Sequence, residues 1–175
     1  MMNMKMNGTE KNEVKRDRLP AYPLITCDPY FSIWSGSDLL YERDTMHWTG
    51  RRKRIRASVR IDGREYRFMG QGAQEPMRQT GAEVTAFSTR YHFEAAGTAL
   101  TVIFWTPLLL DDLDVLSRPC SYVDMEVSSL DGAAHQVEIE WEFSGELCCD
   151  RNQTEKIGGG GYDLEQEQIA WLGLR

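Results

Sequence analysis

Polar and apolar positions alternate most cleanly from Ile55 onward. Ile55, Ala57, Val59 and Ile61 are interleaved with Arg54, Arg56, Ser58 and Arg60, the period of a strand with one buried and one wet face. Asp62-Gly63 follows, and then Arg64-Glu65-Tyr66-Arg67-Phe68 alternates again through Tyr66 and Phe68. Aspartate and glycine tolerate the positive φ of a type I′ turn, so the pattern predicts a two-residue hairpin. The same reading gives a β-prone run over Glu83 to Glu94, a turn at Ala96-Gly97, and a strand over Ala99 to Thr106 that is apolar on both faces, as an internal sandwich strand is. Pro107 ends it. Over Ser121 to Ser128, Val123, Met125 and Val127 face inward; after a turn at Asp131-Gly132, Gln136 to Phe143 turns Val137, Ile139, Trp141 and Phe143 inward and Glu138, Glu140 and Glu142 outward. No stretch has the 3.6-residue period of a helix of twelve residues or more, and Asp111 to Leu116 has room for one helical turn.

Short alternating strands joined by turns, without intervening helices, predict an all-β fold, an antiparallel β-sandwich. Upstream, Leu19 to Tyr30 is proline-punctuated and extended, because residues before proline are pushed to β or polyproline geometry, and it leads into Tyr30, Phe31 and Trp34, aromatics that need a surface. Residues 1–18 read as a disordered leader and 19–175 as the sandwich domain. At the other end, Asp150 to Tyr162 is polar and carries Gly158 to Gly161, which reads as a flexible linker or hinge. Gln168 to Leu174 then begins an apolar strand with no partner after it. The expectation is a sandwich incomplete at its C-terminal end, a fragment of a longer protein, with Ile169, Trp171 and Leu172 forming an apolar edge prone to self-association.

The composition agrees with a packed domain. With 175 residues, 41% hydrophobic and 27% charged, the chain can bury a core without disulfide or metal staples, and no run is long and apolar enough to suggest a membrane span. The formal charge of −7 conceals an asymmetry: Arg43 to Arg67 sums to +6, Phe68 to Arg175 to −12. The arginines alternate with apolar residues and so read as the wet face of strands. The acidic remainder would repel nucleic acid, and the two charge blocks are candidates to meet each other or an absent domain.

Candidate chemistry is sparse. Cys27, Cys120, Cys148 and Cys149 form no CxxC pair or zinc ladder, and their disulfide state is open. Asp111, Asp112 and Asp114 lack calcium-loop spacing and read as a solvated turn. His92 reads as a satisfied sheet histidine and His135 as exposed. A Cys148-Cys149-Asp150 group with His135 reads as a chance arrangement. The weak candidates for ligand binding are Trp34, His47 and Trp48, the last two in HWTG, with Tyr30 as a further stacking aromatic. No catalytic residue, metal site or cofactor is assigned.

Taken together, YPLITCDPYFSIWS, HWTGR and ASVRIDGREYRFMG, followed from Ala99 by LTVIFWTPLLLDDLDVLSRPCSYVDMEVSSLDG, make the chain resemble the N-terminal region of the glutaminase A family of fungi and gut-type bacteria, over about Leu19 to Arg175. The resemblance implies a β-sandwich that precedes and supports a helical α/α toroid, with glutamine hydrolysis belonging to the complete protein and none to this chain by itself. It also implies a periplasmic or secreted protein, whereas residues 1–18 contain no signal peptide and the sequence as written reads as cytoplasmic. The alternative expectation is a carbohydrate- or peptide-binding sandwich module of a glycan-degrading system.

Overall fold

A computed structural model of the chain describes residues 19–149 and 156–174. The expected leader and the start of the expected linker lie outside the described residues. The proline-rich entry forms strand β1 (Tyr22–Thr26), which pairs antiparallel with β2 (Ser32–Ser35) and tolerates Pro23 through a register shift between Pro23 and Ile25. Strand β3 (Met46–His47) completes this small sheet beside β2.

The clearest alternating segment forms β4 (Ile55–Ile61) and β5 (Arg64–Met69). Their connection has Asp62 at φ 49° and Gly63 at φ 84°, the two positive values a tight I′ hairpin requires. Strand β6 (Glu75–Pro76) lies parallel to β5. Next come β7 (Arg78–Val84), β8 (Ser88–Ala95) and β9 (Thr98–Trp105), and one helical turn, α1 (Leu113–Leu116), capped by Asp112 Oδ1 accepting from the Val115 amide at 3.0 Å. Strands β10 (Tyr122–Ser129) and β11 (Val137–Phe143) follow, then one 3-10 turn over Gly145–Cys148 and a last hairpin, β12 (Ile157–Leu164) with β13 (Glu167–Leu174).

Two four-stranded sheets, ordered β10-β9-β8-β7 and β11-β4-β5-β6, form the sandwich. Their inner faces meet through aromatic rings. Phe68 of β5 lies 5.8 Å from Phe93 of β8 and 5.7 Å from Trp141 of β11, and Trp141 lies 6.3 Å from Phe104 of β9. Such offset and edge-on contacts add to the transfer term of about 1.5–3 kcal/mol for each fully buried large side chain. The β1-β2-β3 sheet closes onto this core: the Thr89 hydroxyl donates to the Pro23 carbonyl at 2.6 Å, and the Tyr22 and Tyr91 rings are 6.1 Å apart. Among the described residues no helix is long and apolar enough to cross a membrane.

The outer face of the second sheet brings the two charge blocks together. Antiparallel register sets Glu138 opposite Arg60 and Glu142 opposite Arg56. Arg60 pairs with Glu138 at 2.9 Å and Arg54 grips Glu146 at 2.8 and 3.0 Å, while Arg56 binds Asp44 of its own block at 3.1 and 3.2 Å. The basic hairpin is neutralised largely by acidic residues of the same chain.

Several expectations are corrected. Gly158 to Gly161 is not a hinge: it lies within β12, where Gly160 pairs with Trp171 and Gly161 with Ala170. The apolar strand at the end therefore does have a partner, the segment just before it. The glycines give no strand signal in sequence because their role is to leave room for the side chains opposite. Strand β7 was not expected as a separate element, since Gln79, Thr80 and Glu83 lack apolar alternation and the strand is an edge. Met125, Val127 and Phe143 are exposed instead; they lie on β10 and β11, which are edge strands of their sheets.

Candidate functional site

The residues from Asp28 to Phe31 form a tight loop because the Asp28 carboxylate accepts the Tyr30 amide at 2.7 Å and the Phe31 amide at 3.1 Å. This turn projects Tyr30 into solvent at 88% exposure. Facing it is the HWTG turn, closed by the Gly50 amide donating to the His47 carbonyl at 2.8 Å with Gly50 at φ 84°. The His47 Nδ1 receives the Thr49 amide at 3.3 Å, so Nε2 carries the proton and donates to the Pro29 carbonyl at 3.0 Å. The Trp48 indole N–H donates to the same carbonyl at 2.8 Å, which fixes a ring that remains 62% exposed. The result is a cleft of about 330 Å³ lined by Pro29, Tyr30, His47, Trp48, Thr49, Arg51 and Lys53.

Lys53 connects this cleft to a second feature. Its side chain runs inward, leaving the residue 8% exposed, and the ammonium donates to the carbonyls of Cys149 at 2.5 Å, Glu146 at 2.8 Å and Leu147 at 3.4 Å. The ammonium adds a charged donor to the carbonyls at the end of the 3-10 turn, where the Glu146 carbonyl also accepts the Cys149 amide at 3.4 Å. The turn is thereby anchored with Leu147 and Cys148 on its far side. There they join Phe31, Phe143, Trp171 and Leu172 around an apolar groove of about 620 Å³, floored by Gly159, Gly160 and Ala170. The loop at Asp28 to Phe31 is the shared wall, giving Tyr30 to the cleft and Phe31 to the groove.

The groove depends on β12 glycines. A Cβ at Gly160 would lie 3.1 Å from the Trp171 indole nitrogen, so the bare strand is the seat on which that ring rests. Phe143 is 49% and Trp171 51% exposed. A concentration of Trp, Phe and Leu around an apolar groove has the composition of the centre of a protein interface.

Of the sequence candidates, His47 and Trp48 share the cleft, with Tyr30 beside them. Trp34 does not line it: its indole donates to Ser32 Oγ at 2.8 Å on β2. The groove residues Phe143 and Leu147 were missed, since the alternation placed Phe143 in the core and only the tertiary arrangement leaves it open. Elsewhere, the His92 Nδ1 contacts Thr101 Oγ1 at 3.0 Å within the sheet, as a satisfied histidine should. His135 departs from its expected exposure. Its side chain is 11% exposed and lies between Asp62 and Asp131, away from Cys149, whose thiol contacts the Gly145 carbonyl at 3.6 Å. All four cysteines are free thiols. Among the described residues no group of three or more His, Cys, Asp or Glu side chains is arranged to hold a metal ion.

Two family models match the chain, each a domain of unknown function: DUF4964 over residues 2–78 and DUF5127 over residues 87–162. The first spans β1 to β6 with the cleft, the second β8 to β11 and most of β12. Among curated proteins, glutaminase A of Aspergillus oryzae (strain ATCC 42149 / RIB 40) is 32% identical over 164 residues, covering 88% of this chain and 23% of that relative. No solved structure matches. The chain thus spans about a quarter of the length of the curated relative, as a homologue of its N-terminal region.

Proposed function

We propose that this chain is a non-catalytic N-terminal sandwich domain of a glutaminase-like protein, and that its aromatic surface docks against the helical part that follows it in such proteins. The observation that carries the reading is the pair of adjoining aromatic surfaces, the Tyr30/Trp48 cleft and the Phe31/Phe143/Trp171 groove, on either side of the Asp28 to Phe31 loop, set beside a relative more than three-quarters of whose length lies outside the match. Large exposed aromatics on a rigid sheet scaffold suit a permanent partner better than solvent. The engagement of the histidines supports a structural role as well: both ring nitrogens of His47 are taken up locally, and the His135 ring is held by two carboxylates. Hydrolysis of glutamine is then a property of the whole protein.

Two measurements test this. The purified chain, incubated with glutamine and assayed for ammonia, is expected to release none above the blank; release would overturn the non-catalytic reading. In a longer protein that carries this region, Trp48 and Trp171 are expected to be shielded from a collisional quencher that reaches them in the 175-residue chain. Equal quenching in both would remove the docking part.

A further inference from the structure

At the end of the sandwich formed by its tight turns, three connections converge on one imidazole. They are the β4–β5 turn at Asp62-Gly63, the β8–β9 turn at Ala96-Gly97, and the β10–β11 connection that carries Asp131 and His135. The His135 Nδ1 lies 2.6 Å from Asp62 Oδ2, and its Nε2 lies 3.0 Å from Asp131 Oδ1. Each carboxylate is itself fixed by the backbone: Asp62 Oδ1 accepts the Gln136 amide at 2.9 Å, and Asp131 Oδ1 accepts the Ala133 amide at 2.9 Å. The third turn is locked in by the Leu130 amide donating to the Gly97 carbonyl at 2.7 Å. Gly97 has φ 74°, and a Cβ there would fall 2.2 Å from Asp131 Oδ2 and 3.2 Å from His135 Nε2, so only glycine lets the three turns close together.

Ionised carboxylates only accept hydrogen bonds, and a neutral imidazole has one N–H. A ring with a carboxylate at each nitrogen needs both protons to make both bonds. We propose that His135 is a proton-operated clip: as the imidazolium it ties the β4–β5 turn of one sheet to the β10–β11 connection over the β8–β9 turn of the other, and on losing its proton it releases one of the two carboxylates. Asp62 and Asp131 are the charged groups that face the ring; Arg60 and Glu138, next along β4 and β11, are occupied with each other.

The directions of the titrations agree with the geometry. The hydrogen bonds to Asp62 and then Asp131 raise the His135 pKa above its ordinary 6.5. Asp62 is lowered from 3.8, first by His135 and then by the Gln136 amide. Asp131 is lowered to about 2, first by the Ala133 amide and then by His135. A raised histidine contributes stability that is complete below its unfolded pKa and is lost as pH rises through its folded one; a lowered aspartate contributes stability present above its unfolded pKa and lost as pH falls through its folded one. The clip's contribution to stability is therefore complete between about pH 4 and 6.5 and is lost on the alkaline side as pH rises through the raised histidine pKa.

Nitrogen-detected NMR of the imidazoles in the full chain, followed from pH 5 to 9, reads this directly. Both His135 ring nitrogens are expected to be protonated at pH 6, with titration above 6.5 and faster amide exchange at Leu130, Ala133 and Gln136 once the ring is neutral. A ring neutral at pH 6, or titrating at or below 6.5, would overturn the proposal. His135→Gln is expected to lower the thermal midpoint at pH 6 and to match the wild type by pH 9, whereas an equal deficit at both pH values would also overturn it. Should that variant fail to fold, the wild-type titration alone decides.

Discussion

Lys53 shows how one residue can organise a surface it barely touches. In sequence it is one member of Arg51-Arg52-Lys53-Arg54 and looks like part of a solvated basic run. In the fold its ammonium is the common donor for three carbonyls of the turn that separates cleft from groove. Replacing it by methionine keeps much of the stem's packing but leaves those carbonyls without their charged donor. Lys53→Met is expected to cost about 2–4 kcal/mol in chemical denaturation, and to loosen Leu147 and Cys148; a loss below about 0.5 kcal/mol would show that the turn holds itself. The neighbouring cations could not be told apart by composition. Which one turns inward depends on where the backbone of Glu146 to Cys149 arrives, some ninety residues later in the chain.

At the scale of elements, the β4–β5 hairpin, with strict alternation and an Asp-Gly turn, was legible, and so was the turn at Ala96-Gly97. Both the period of two and the positive φ requirement are local properties, and the structure has φ 49° and 84° at Asp62-Gly63 and 44° and 74° at Ala96-Gly97. The β12–β13 hairpin was not legible, because four glycines say only that side chains are absent. Their use emerges once Trp171 lies over them. Gly160→Val is expected to push the Trp171 ring off its seat, to shift its emission to the red, and to cost the β12–β13 amides their exchange protection while β4 and β9 keep theirs. Unchanged protection in the hairpin would mean that the glycines do not seat the ring.

At the scale of the whole molecule, the sandwich has two unlike ends. One gathers the tight turns around His135, Asp62 and Asp131; the other carries the Lys53-anchored turn and the apolar groove. The apolar surface has a consequence in solution: contiguous exposed aromatics favour self-association when a natural partner is not bound. The chain is expected to sediment with a concentration-dependent mass, and Trp171→Glu, which places a charge in the groove, is expected to return it towards a monomer. A wild-type chain that stays monomeric at high concentration would show that the groove does not bind a second copy.

The sequence by itself determined the class of fold, most of the strands and the kinship with glutaminase A, because alternation, turn residues and local motifs are written in short stretches of chain. Even the meeting of basic and acidic blocks was foreseeable, since Arg56 and Arg60 lie on the wet face of one strand and Glu138 and Glu142 on that of another. Only the tertiary structure decided which aromatics stay uncovered, that Trp34 stands apart from Trp48, that Gly158 to Gly161 forms a strand, and that His135 sits between two carboxylates. Those outcomes depend on groups brought together from distant parts of the chain: Asp62 and His135 are 73 residues apart and Lys53 and Cys149 are 96 apart. Packing, desolvation and charge pairing act on distances in space, and a linear pattern does not contain those distances.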